Sequence, residues 1–96
     1  MILSFGDDAT GDLFHGRPTR RTRSLHPDLR RAALRKLDML NAAHRLEDLR
    51  SPPGNRLEAL RGDRRGSHSI RVTGACRLVF RWADGGPDRV TLVDYH

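Results

Sequence analysis

The sequence has 96 residues, which is enough for one domain with a single hydrophobic core and too few for two. Lys and Arg number 18 against 12 acidic residues, giving a net charge of +6, and every basic residue except Lys36 is an arginine. The excess charge favours a polyanionic partner, and the planar guanidinium matches phosphate geometry. The alternative for the preference of arginine over lysine is a coding bias without functional content. Any active site must lie on the surface of the one core.

Two further features bear on location. Cys76 is the only cysteine, so no disulfide can form within the chain, and we expect it to be a core residue. The N-terminal MILSFGDD has no basic region and too short an apolar run for a signal peptide, and no stretch is apolar for long enough to span a membrane. We therefore expect a cytoplasmic protein without a membrane partner.

The first half of the sequence predicts one strand and two helices. Residues 1–5 form a short strand, which Gly6-Asp7-Asp8 ends, and residues 9–15 form a short helix. A basic loop over residues 16–23 follows and carries four arginines. Its arginines either contact RNA or the ribosome, or simply lie in solvent.

The clearest helix begins at Ser24 or His26 and runs to about Ala43. Pro27 suits a first-turn position, and apolar residues recur at helical spacing through Leu37 and Leu40. We expect this amphipathic helix to pack on a sheet. One further helical turn at residues 46–49 precedes a stop at residues 51–54.

The second half changes to a period of two and predicts four strands. They cover residues 56–60, 67–73, 76–82 and 89 to 95 or 96, with a basic turn at 61–66. The order of elements predicts a single α+β domain over residues 1–96. It has a mostly antiparallel sheet with two N-terminal helices packed on one face.

The alternation of the predicted strands separates an apolar face from an arginine face. If Ile70 and Leu78 face the helices, then Arg71, Arg77 and Arg81 project from the opposite side. With Arg64 and Arg65 in the turn, this open, cationic face could surround a phosphate or follow an RNA strand. The alternative is that outward positions are charged only for solubility.

The chain ends in VTLVDYH, which places an acid, a phenol and an imidazole directly after a strand. Asp94 and His96 are two residues apart and should share a face, with Tyr95 opposite unless the strand end twists. RNA cleavage without a metal needs a base for the 2'-hydroxyl proton, an acid for the leaving oxygen and cations for the phosphorane charge. These three residues and Glu58 could handle the protons, and arginine could supply the cations.

The same chain end is compatible with two alternatives. It could be a polar strand end without function, or Asp94 and His96 could join Glu58 in a metal site. The sequence has no paired-cysteine or HExxH-type spacing to support a metal, and we expect no cofactor.

Beyond these patterns, nearly the whole chain resembles one protein family. The stretches MILSFGDD, RKLDMLNAA, RSPPGNRLEALRGDRRGSHSIRVTGACRLVFRW and VTLVDYH are similar to the HigB branch of the RelE-type toxins of bacterial toxin–antitoxin modules, also described as plasmid maintenance killer proteins. The resemblance implies a small RelE-like α+β fold. It also implies a ribosome-dependent endoribonuclease, an mRNA interferase that cuts mRNA in the decoding site of the 70S ribosome and so inhibits translation.

The resemblance implies partners and site residues as well. A HigA-like helix-turn-helix antitoxin would bind the toxin, and operator DNA would be contacted only through that complex. By position, Asp94, Tyr95 and His96 match the family's catalytic end, and Arg77 matches an arginine placed at the scissile phosphate. The basic positions at Arg71 and at Arg64-Arg65 match more loosely.

One departure concerns the acid and base. Some members read LHPLKGD where this chain reads LEALRGD, so Glu58 stands where those members have a histidine. We expect His96 to be the principal proton-transfer group, Glu58 to be a possible base, Asp94 to orient the imidazole and Tyr95 to contact RNA. The alternatives are a toxin of the same fold that acts on DNA gyrase by protein contact, and a non-catalytic RNA-binding or antitoxin-binding module.

Overall fold

The computed structural model describes residues 1–94, so Tyr95 and His96 lie outside the described residues. Three helices precede the main strands. The elements are α1 (Asp8–Phe14), α2 (Arg20–Arg23), α3 (Pro27–Ala42), β1 (Glu58–Ala59), β2 (His68–Thr73), β3 (Cys76–Ala83) and β4 (Gly86–Asp94). Short 3-10 segments lie at Leu46–Arg50, Pro53–Asn55 and Gly62–Arg64. The predicted α+β class is confirmed, with a single-turn helix α2 where the sequence predicted a loop.

The strands form one antiparallel sheet in the order β1-β2-β3-β4. The predicted N-terminal strand is reduced to a parallel bridge between Phe5 and Val90, within a segment that runs beside β4. Gly6 permits this close approach, because a Cβ atom there would overlap the Thr91 hydroxyl oxygen. The edge strand β4 is therefore partly covered by the start of the chain.

Strand β4 begins three residues earlier than predicted. Gly86 and Pro87 already pair with the end of β3, and the register then shifts between Val79 and Arg81. The extra residue lies on β4, where Arg89 has a φ of 52°. This bulge leaves the alternation of β3 intact.

The core lies between α3 and one face of the sheet. Leu37 and Leu40 of α3 are fully buried against a sheet surface that includes Ile70, Leu78 and Phe80, as the helical and strand periodicities predicted. Burying each such side chain contributes about 1.5–3 kcal/mol to stability. No helix within residues 1–94 is both long and apolar enough to cross a membrane.

Candidate active site

The register of the sheet brings the predicted arginines to one face. Arg71 of β2 lies directly opposite Arg77 of β3, and Glu58 of β1 lies directly opposite Ser69 of β2. Residues paired across antiparallel strands point to the same side of a sheet, and Arg81 follows Arg77 at strand spacing. The prediction of a shared face is confirmed. We call the side that carries Glu58, Ser69, Arg71, Arg77 and Arg81 the arginine face.

The arginine face is not open at its centre, which differs from the expectation. Ser69 is completely buried, Val79 is 6% exposed, and only 16% of the Arg77 side-chain surface is exposed. Arg77 does not project into solvent. It lies across the sheet because its guanidinium has partners on β1 and on the segment before it.

Arg77 is held by two hydrogen bonds. Its Nη1 atom donates to Glu58 Oε1 at 3.3 Å, and its Nη2 atom donates to the carbonyl oxygen of Arg56 at 2.7 Å. The first contact is also an ion pair, and the Glu58 side chain remains 56% exposed. Two of the predicted catalytic residues are therefore in direct contact, with the carboxylate still accessible from solvent.

A groove runs beside this ion pair. It has a volume of about 560 Å³, and its lining includes Glu58, Arg61, Arg64, Ser69, Gly74 and Arg77. The loop after β1 and the turn between β2 and β3 both contribute residues to its lining. Three arginines against one carboxylate make the groove a suitable site for a phosphate group with its neighbouring sugar.

The remaining predicted phosphate-binding arginines surround this groove in different ways. Arg71 is half-buried opposite Arg77, and Arg65 is exposed directly after the 3-10 turn Gly62–Arg64. Arg81 lies against the same loop, since a Cβ atom on Gly66 would be 3.1 Å from its Nη2 atom. These three residues are better placed to contact phosphates on either side of the groove than a phosphate bound within it.

Asp94 lies on the other side of the sheet. It pairs with Cys76, whose side chain belongs to the helix-facing series of β3. Burial raises the pKa of the Cys76 thiol, and the charge of Asp94 and a hydrogen bond to it raise this pKa further. The structure therefore separates Asp94 from the Arg77–Glu58 pair.

The end of β4 nevertheless lies close to the groove. Val93 pairs with Arg77, and Asp94 pairs with Cys76, which directly follows the Gly74-Ala75 turn that lines the groove. Tyr95 and His96 come next in the sequence, outside the described residues. Their roles remain predictions.

The remaining candidates for chemistry are His68 and a bound metal ion. His68 stacks on Phe80 with ring centroids 6.4 Å apart, so it is packed on the helix-facing side of the sheet. Within residues 1–94, no three His, Cys, Asp or Glu side chains are grouped closely enough to hold a metal ion. The residue that sequence reasoning missed is Ser69, because a serine on an outward strand position carries no distinguishing signal.

The family model for the RelE-like toxin of the type II toxin–antitoxin system HigB matches residues 3–96. The chain belongs to the HigB-like toxin family. This HigB-like toxin is 47% identical over 85 residues to Toxin HigB-1 of Vibrio cholerae serotype O1, a match that covers 88% of the chain and 87% of that relative. It is also 42% identical over 65 residues to an uncharacterized protein of Haemophilus influenzae, covering 68% of the chain and 64% of that relative.

Family membership fixes the general role of the protein. A HigB-like chain is the toxin of a type II toxin–antitoxin system, and such a toxin has an antitoxin as its partner. The family resemblance of the sequence motifs is therefore confirmed at the level of family and system.

Proposed function

We propose that this HigB-like toxin is a ribosome-dependent endoribonuclease that cleaves translated mRNA without a metal ion or cofactor. The observation that carries the proposal is the contact between Arg77 and Glu58 beside a cationic groove. This contact places a cation for the scissile phosphate within ion-pair distance of a carboxylate that can accept a proton. Membership of the HigB-like toxin family supports the same function, since the resemblance of the sequence to that family implies an mRNA interferase.

The proposed reaction is an internal attack of the 2'-hydroxyl on the adjacent phosphate. A base removes the hydroxyl proton, an acid protonates the departing 5'-oxygen, and cations stabilise the charge that develops on the phosphorane. Arg77 is the proposed phosphate ligand, because its guanidinium can form two parallel hydrogen bonds to phosphate oxygens. Arg64 extends the same cationic lining.

Proton transfer is assigned to Glu58 and His96. Glu58 is the proposed base, since its exposed carboxylate could reach a 2'-hydroxyl in the groove. His96 is the proposed acid, because imidazole carries a transferable proton near neutral pH. Tyr95 is the proposed RNA contact. Asp94, on the other side of the sheet, is proposed to fix the strand end before Tyr95 and His96 through its contact with Cys76, and it would orient the imidazole only where the strand end twists toward the groove.

The wider arrangement follows from the same proposal. Arg65, Arg71 and Arg81 would contact phosphates on either side of the cleaved bond, and the ribosome would present the mRNA in the decoding site. We further propose that the toxin acts in the cytoplasm. Its antitoxin partner would be a HigA-like helix-turn-helix protein, through which alone the complex contacts operator DNA.

Induced expression in cells tests the proposal. The wild-type toxin should arrest growth and leave mRNA cut at codon-related positions, mapped by primer extension. Arg77→Ala should lower cleavage by roughly 10²–10³-fold, as removal of a group that stabilises transition-state charge does. Arg35→Ala is the matched control, because it removes an equal charge from the exposed side of α3, which packs on the opposite face.

The same experiment separates the alternatives. DNA damage with intact mRNA would contradict the proposal and favour a toxin that acts on gyrase. Absence of growth arrest from a well-expressed, folded protein would instead favour a non-catalytic binding module. Equal mRNA cleavage by Arg77→Ala and wild type would remove Arg77 from the mechanism.

A further inference from the structure

Two polar atoms beneath the arginine face are buried without a hydrogen-bond partner among the described residues. They are the hydroxyl oxygen of Ser69 and the Nε atom of Arg77. Ser69 is completely buried, although it also lines the groove from below. Buried polar atoms are normally paired, so two orphans on neighbouring strands need a physical reason.

The sheet register shows that these two atoms belong to adjacent positions. Arg77 is opposite Arg71 on β2, and Ser69 is two residues before Arg71. Glu58, the partner of the Arg77 guanidinium, is directly opposite Ser69 on β1. To reach Glu58 from β3, the Arg77 side chain must therefore cross β2 beside Ser69.

The size of Ser69 is what allows this crossing. Neighbouring strands are about 4.8 Å apart, so the Arg77 side chain spans roughly two strand spacings to meet Glu58. A large side chain at position 69 would stand in this path, whereas serine leaves it open and is covered by it. Size alone does not explain the hydroxyl, because alanine would leave the same space without burying an unpaired polar atom.

The hydrogen bonds of Arg77 indicate at which stage the Ser69 hydroxyl would find a hydrogen-bond partner. In the free protein the two terminal nitrogens are engaged by Glu58 and the Arg56 carbonyl, while the Nε–H has no partner among the described residues. A phosphate entering the groove would compete for the terminal nitrogens. The guanidinium would then turn, and its Nε–H would need an acceptor on the sheet side, where the Ser69 oxygen lies.

We propose that Ser69 is a positioning residue for the cleavage reaction. Its hydroxyl accepts a hydrogen bond from the Nε–H of Arg77 once the guanidinium leaves Glu58 for the scissile phosphate, and this bond fixes the orientation of the guanidinium plane. The same movement releases the Glu58 carboxylate to accept the 2'-hydroxyl proton. This inference rests on the proposed function, since it assigns Ser69 a role in that reaction.

The kinetic test compares Ser69→Ala with Ser69→Thr, which keeps the hydroxyl, and with Ser67→Ala as a matched control near the start of the same strand. Single-turnover cleavage of mRNA on purified ribosomes should be slowed about tenfold in Ser69→Ala, the loss expected for one hydrogen bond. Ser69→Thr should retain most of the wild-type rate, and Ser67→Ala all of it. The thermal midpoint of Ser69→Ala should equal or exceed that of wild type, because the variant removes a buried unpaired hydroxyl.

A spectroscopic readout makes the inference independent of turnover. In 15N-labelled toxin, adding a short 2'-O-methyl oligoribonucleotide should slow the exchange of the Arg77 Nε–H with water. This slowing should occur in wild type and in Ser69→Thr, and should be absent from Ser69→Ala. The inference would be overturned if Ser69→Ala cleaved mRNA at the wild-type rate. It would also be overturned if the oligoribonucleotide left the exchange rate of the Arg77 Nε–H in the wild-type toxin unchanged. Failure of the wild-type toxin to cut mRNA would refute the proposed function instead, and the exchange measurement would still decide whether Ser69 holds Arg77.

Discussion

Asn55 fixes the segment that supplies both partners of Arg77, and replacing it provides a quantitative test. The residue is completely buried, and its amide nitrogen donates to the carbonyl oxygens of Leu49 at 3.1 Å and Ser51 at 3.4 Å. Its side-chain oxygen accepts from Lys36 Nζ at 2.5 Å. One buried side chain therefore ties the loop before β1 to α3 and to the preceding 3-10 segment.

The cost of Asn55→Ala follows from what each partner can do without it. Ser51 and Lys36 are sufficiently accessible for water to replace the lost bond, whereas the contact with Leu49 is buried. A buried acceptor left unpaired costs about 1–3 kcal/mol. A loss of about 2 kcal/mol corresponds to a fall of roughly 8–16 °C in the melting temperature of a domain of this size.

Thermal unfolding by circular dichroism measures this effect. Gly54→Ala is the control, because a Cβ atom there meets nothing within 4 Å, and its melting temperature should stay near that of wild type. Asn55→Ala should also reduce mRNA cleavage at temperatures where it is folded, since Arg56 and Glu58 follow it directly in the chain. A melting temperature within about 2 °C of wild type, well below the expected shift, would refute this account of the loop.

Three further predictions concern other parts of the chain. Burial and then the charge of Asp94 raise the pKa of the Cys76 thiol. Iodoacetamide should therefore label Cys76 more slowly in the folded protein than in the unfolded chain near pH 8, and folded Asp94→Asn should be labelled faster than folded wild type. Backbone hydrogen bonds, chiefly from Arg45, lower the pKa of Asp48, so its stabilisation is present above the unfolded-state pKa and lost as pH falls through the folded-state pKa. The difference in melting temperature between wild type and Asp48→Ala should therefore narrow on acidification, and a constant difference would contradict this. Leu37→Ala, at a completely buried position, should cost about 2–5 kcal/mol in urea unfolding, and a cost well below this range would mean that α3 packs differently.

The sequence predicted the sheet more completely than it predicted the site. Periodicity identified β2 and β3 within one residue, and alternation correctly grouped Arg71, Arg77 and Arg81, because side-chain direction in a strand depends only on parity. The N-terminal strand was overestimated because its pairing with β4 is a long-range contact that local pattern does not encode.

The closed centre of the arginine face could not be predicted in the same way. Parity gives the side of the sheet on which Arg77 lies, but it does not give the path of a long side chain across a neighbouring strand. That path depends on the partners Arg56 and Glu58 and on the small size of Ser69, which come from separate parts of the chain. The position of Asp94 beside Cys76 likewise follows from the register of β3 and β4, not from its sequence spacing to His96.

Cleavage of a defined mRNA on purified, translating ribosomes tests the central claim most directly. The wild-type toxin should cut the mRNA without added metal beyond that needed by the ribosome, and a chain lacking His96 should be slower by roughly 10²–10⁴-fold, the usual contribution of general acid–base catalysis. Antitoxin binding and the melting temperature should be unchanged in that variant, which would confirm that only the chemistry is affected. Cleavage at the wild-type rate by the shortened chain would contradict the account.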